Sequence, residues 1–78
     1  MAEFKYEITQ YLGVIGQARG MNLELNMVSW NDREAKYDIR TWNDDHSRMG
    51  KGVSLTEDEL TKLIELFNAR NEDDELGE

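Results

Sequence analysis

Residues 36–42, Lys36-Tyr37-Asp38-Ile39-Arg40-Thr41-Trp42, admit little besides an extended strand with two unlike faces. Strand side chains alternate, so Tyr37, Ile39 and Thr41 share one face and Lys36, Asp38, Arg40 and Trp42 the other. The first face suits a core. The second is the one that would ordinarily be wet, yet it carries a Trp beside two cations. A Trp left in water forgoes about 1.5–3 kcal/mol of burial, so this face needs a cover. A partner subunit would provide one. So would a ligand with flat rings and negative charge, and nucleobases with their phosphates fit that description.

The same alternation marks other strands. Phe4, Tyr6 and Ile8 alternate with Lys5, Glu7 and Thr9, predicting a first strand near residues 3–12. Gly13, Gly16 and Gly20 then read as a loop or an irregular edge connection over 13–20. Leu23, Leu25 and Met27 alternate with Asn22, Glu24 and Asn26 in a second strand near 21–30, and Trp30 falls on the face opposite those apolar residues. Residues 31–34 form a turn, 36–42 the third strand, 43–50 a polar loop and 52–55 a short fourth strand.

One helix follows. Thr56 with Glu59 three residues later makes a capping box, and Leu55 and Leu60 stand where a hydrophobic staple would close around it. Glu57, Asp58 and Glu59 suit the positive end of the helix dipole. Leu60, Leu63, Ile64 and Phe67 form an apolar stripe that must pack on the sheet or on a second subunit. After Arg70 the apolar period ends, and residues 71–78 read as a disordered acidic tail. The expected fold is α+β: a four-stranded antiparallel sheet, then a C-terminal helix, in a single domain over residues 1–70.

A chain of 78 residues is marginal on its own and usually needs a staple or a partner. Having no Cys and a single His, it lacks the usual material for disulfides or a zinc site, so self-association as a homodimer is expected. No segment approaches a membrane span or a signal sequence, which points to the cytoplasm. The net charge of −8 argues on its face against nucleic acid. Its distribution says otherwise. Residues 52–78 carry −7, whereas residues 17–51 are neutral and hold six of the nine cations. Screening over about 8 Å lets such a region meet phosphate while the far end stays acidic.

Trp30 and Trp42 have two readings. They close an apolar face against a partner or the helix, or they form a stacking platform with Lys36 and Arg40 beside them. Arg48-Met49-Gly50-Lys51-Gly52 places cations beside glycines that let a phosphate approach, though it also suits an ordinary start to a strand. It lacks P-loop spacing, and a strand follows where a helix should begin. Asn43-Asp44-Asp45 lacks the EF-hand pattern, and His46 has no nucleophile at a recognisable spacing. The chain reads as a non-enzyme without metal or cofactor.

Taken together, Val28-Ser29-Trp30-Asn31-Asp32, Lys36–Trp42 and Met49-Gly50-Lys51-Gly52-Val53-Ser54-Leu55-Thr56 resemble the transcriptional positive cofactor 4 family, and within it the small bacterial YdbC-type branch. The resemblance spans about residues 20–68. It implies a β-β-β-β-α protomer that dimerises partly through its helix and binds single-stranded DNA on a curved sheet with little sequence preference. Family members are associated with transcription, replication or repair, which implies a transcription-regulating, nucleoid-associated protein. Carried over by residue, Trp30 and Trp42 would stack on bases, and Lys36, Arg40, Arg48 and Lys51 would contact phosphates. Leu60, Leu63, Ile64 and Phe67 would serve the core or the dimer. RNA is an alternative ligand. The rival reading is an acidic interaction module on the same dimeric fold, its tail recruiting a basic protein.

Overall fold

A computed structural model describes residues 5–76 of the chain, with side chains described through residue 70. Four strands, β1 (Tyr6–Ala18), β2 (Met21–Trp30), β3 (Lys36–Trp42) and β4 (Met49–Leu55), precede one helix, α1 (Glu57–Leu76). They form an antiparallel meander in the order β1-β2-β3-β4. The expected α+β architecture is therefore present. The ranges of β2 and β3 match the alternation that marks them.

β1 departs from expectation. It runs through Gly13 and Gly16 to Ala18, where the glycines predict a loop or an irregular edge connection, and the start of the expected strand at residues 3 and 4 lies outside the described residues. The reason is a series of bulges. Thr9, Leu12 and Ile15 have no partner in the ladder with β2, so three residues of β1 repeatedly span two of β2. Such insertions abolish the two-residue period and sharpen the twist. The hairpin closes on Arg19 and Gly20, both at positive φ (55° and 78°), as a two-residue type I′ turn requires. β4 also begins earlier than expected, at Met49, and a register shift places Gly50 and Lys51 opposite Thr41.

The sheet is strongly curled. Tyr6 pairs with Trp30, and Trp42 pairs with Asn22 at the other end of β2. In a flat sheet those levels would lie about 26 Å apart along the strands. Instead the Tyr6 and Trp42 rings meet at 5.3 Å. The curl closes over the face that alternation marks as polar. Its side chains Glu24, Asn26, Val28, Asp38 and Trp42 are buried. The apolar face, with Leu23, Leu25, Met27, Tyr37 and Ile39, is only half-buried. The expected inside and outside are thus exchanged in the protomer. Alternation assigns residues to a common face, but the curl decides which face is enclosed.

The capping box forms as expected. Thr56 N–H donates to Glu59 Oε1 (2.8 Å), and Glu59 N–H donates to Thr56 Oγ1 (3.1 Å). The helix continues to Leu76, past the point where its apolar period ends. Its apolar stripe finds little on its own sheet. Leu60 is half-buried, whereas Leu63, Ile64 and Phe67 are exposed. No helix among the described residues is long and apolar enough to cross a membrane.

Candidate nucleic-acid interface

The enclosed face is organised around two carboxylates. Asp38, fully buried, receives Arg40 Nε at 2.6 Å and Nη2 at 2.9 Å, and also the Ser54 hydroxyl at 2.8 Å. Ser54 accepts the Trp30 indole N–H at 3.0 Å, and the Arg40 guanidinium lies 4.6 Å from the centre of the Trp30 ring. Trp30, Ser54, Asp38 and Arg40 therefore close a circuit. Each member holds the next, so the half-buried Trp30 is fixed at its N–H edge by Ser54 and over its face by Arg40.

Glu24 is the second carboxylate, 2% exposed. It accepts Asn26 Nδ2 at 2.9 Å and pairs with His46 Nε2 at 2.8 Å. A buried carboxylate needs such partners to be tolerated. His46 reaches it from the tip of the β3–β4 loop, where its backbone adopts φ +60°. The Tyr6 hydroxyl donates to the His46 carbonyl at 2.8 Å.

These contacts revise the site expected from the sequence. Trp42 does not lie on an open surface: it is fully buried, between the rings of Tyr6 and His46 at 5.3 and 5.4 Å. Its Nε1–H has no acceptor among the described residues, which costs about 1–3 kcal/mol. Arg40 is not an open cation either. Its side chain is 15% exposed and its charge is matched by Asp38. Lys36, Arg48 and Lys51 are exposed, as expected. They are not clustered. Lys36 begins β3, whereas Lys51 lies opposite Thr41 near the far end of that strand and Arg48 just past it, about 17–20 Å away along the strand.

The glycines beside Lys51 have a structural cause. A Cβ on Gly52 would overlap Arg40 Cβ and the Ile39 carbonyl oxygen, and one on Gly50 would overlap the Thr41 hydroxyl. They let β4 approach β3 closely.

Sequence reasoning missed Tyr6, Glu24, Asn26, His46 and Ser54 as parts of this centre. A pattern search could have flagged Glu24 and Asn26, which share parity with Trp30 and thus with the aromatic face. Nothing local announces His46, whose partner is 22 residues away.

The fold and site define a small α+β protein whose curled meander encloses an aromatic and ionic centre, with exposed cations along it and an apolar helix face left open. The family model described as Transcriptional Coactivator p15 (PC4) matches residues 18–66. An uncharacterized protein of Treponema pallidum (strain Nichols) is 46% identical over 72 residues, covering 91% of this chain and 85% of its own length. The chain belongs to the transcriptional coactivator p15 (PC4) family.

Proposed function

We propose that this protein is a non-catalytic, homodimeric single-stranded DNA-binding protein with little sequence preference, acting on transcription, replication or repair in the cytoplasm at the nucleoid. Membership of a coactivator-type, single-stranded DNA-binding family supports the class. The observation that carries it is Trp30. Its indole is partly accessible and held rigidly by Ser54 and Arg40, as a stacking platform requires. Base-on-aromatic stacking of this kind gives about 1–3 kcal/mol per base and accepts any base. Lys36, Arg48 and Lys51 supply the phosphate contacts, while Arg40 acts indirectly by holding Trp30.

An oligo-dT titration tests this reading. Tryptophan emission should be quenched at low salt, and Trp30→Ala should weaken binding about 5- to 150-fold. Each phosphate contact on a single strand contributes about −0.7 to the slope of log K against log salt, so three cations give about −2 per protomer. Lys51→Gln should reduce that slope by about 0.7. An intact, folded protein that leaves oligo-dT emission and anisotropy unchanged at low salt refutes the proposal. The same titration with oligo-rU and with duplex DNA sorts the ligand class.

A further inference from the structure

The β3–β4 loop is bound to itself at many points and to the sheet at few. Its base is closed by Asn43 N–H donating to the Arg48 carbonyl (3.1 Å) and by Arg48 N–H donating to Asn43 Oδ1 (2.9 Å). Asn43 Nδ2 donates to Ser47 Oγ (2.9 Å), His46 N–H to the Asn43 carbonyl (3.1 Å), and Ser47 Oγ to Asp45 Oδ1 (2.7 Å). Among the described residues its polar ties to the rest of the sheet are fewer. His46 pairs with Glu24, the Tyr6 hydroxyl donates to the His46 carbonyl, and Asn22 Nδ2 donates to Asp44 Oδ1 at 3.3 Å. A segment built this way can hinge at Asn43 and Arg48 as a unit, keeping its internal bonds.

What the loop covers makes the hinge meaningful. The His46 ring lies against Trp42, whose buried N–H has no acceptor among the described residues. A buried indole ordinarily finds one, so the closed arrangement leaves a donor unmatched that an opened one would release. Charge is arranged to the same end. Arg48 and Lys51 stand at the base of the loop, and Asp44 and Asp45 at its tip. A phosphate chain seated on the two cations would repel the tip.

We propose that residues 43–48 form a lid, latched by His46 on Glu24, which single-stranded DNA lifts to reach Trp42. This rests on the DNA-binding reading above and adds a closed state to it. Because the closed state does not offer Trp42, the apparent affinity is reduced by the fraction of molecules that are closed. Loosening the latch should therefore tighten binding.

The test uses the full chain with Trp30→Phe, leaving Trp42 as the one tryptophan, and follows oligo-dT binding separately by anisotropy of a labelled oligonucleotide. Without DNA, Trp42 should resist acrylamide; at saturating oligo-dT its emission should be quenched. Glu24→Gln added to this chain should admit acrylamide before DNA is present and tighten binding about threefold or more. Tyr6→Phe, which removes the second fastening without touching a buried carboxylate, should shift both readouts the same way and decides the matter if Glu24→Gln fails to fold. Binding by anisotropy with Trp42 emission and acrylamide access unchanged at saturation overturns the lid alone. Unchanged affinity in folded latch variants also overturns it. Absence of any binding by the unaltered chain at low salt overturns the DNA reading and the lid with it.

Discussion

Trp30 and Trp42 share a strand parity, yet they do different work. One is a half-buried ring clamped at the edge of the enclosed centre, the other a fully buried ring at its middle. Trp42→Ala should therefore cost about 3–5 kcal/mol of folding stability in urea unfolding, the range for emptying a large aromatic site. Arg40→Ala should cost a similar amount, about 3–5 kcal/mol, because it strands the carboxylate of Asp38 without its cation. A surface phosphate contact would instead lose affinity at constant stability, so the pair of measurements separates the roles. Asp45 offers a pH-linked check on the lid. Hydrogen bonds from Ser47, side chain first and backbone second, hold its carboxyl below the ordinary carboxylate value of 3.8. A lowered value means stability present above that range and lost as pH falls through the lowered value. Loop order, followed by Trp42 emission, should loosen there, and Asp45→Asn should remove that part of the transition.

Among the elements, β2, β3 and the start of α1 were legible because their signals are local. Alternation needs only neighbouring residues, and the Thr56–Glu59 capping box spans one turn. β1 was not legible beyond residue 12, since bulges at Thr9, Leu12 and Ile15 replace its period of two and make Gly13 and Gly16 resemble breakers. The helix stripe was legible as apolar, but its destination was not. With Leu63, Ile64 and Phe67 exposed on the protomer, the proposed dimer would cover them. Ile64→Glu with Phe67→Glu should give the mass of one protomer in sedimentation equilibrium, where the unaltered chain should give two. A single mass for both proteins would remove the helix from the interface. Gly52→Ala should cost about 1–3 kcal/mol, because β4 cannot carry a Cβ against Arg40 without shifting.

At the scale of the whole molecule, the sequence disclosed which residues keep company and not which company is indoors. Lys36, Asp38, Arg40 and Trp42 do share a face, but its enclosure comes from curvature accumulated over β1 and from a loop folded back by His46. The charge asymmetry has a consequence of the same size. The acidic C-terminal part repels the phosphate that the central cations attract, so deleting residues 71–78 should leave DNA binding intact and raise affinity at low salt. Loss of binding on that deletion would favour the rival reading, in which the acidic end recruits a partner.

The bulges of β1 also set a unit of change for the hairpin. Three residues on one strand match two on the other through this stretch, so a whole bulged repeat of five residues, three from β1 and two from β2, can be added or removed without turning what lies beyond to the other face. A single insertion would rotate every later side chain of that arm to the wrong side, whereas a whole step would act like an added link in a chain. Length variation in this hairpin is thus quantised, and natural or engineered variants that respect the step should keep the centre around Trp42 unaltered.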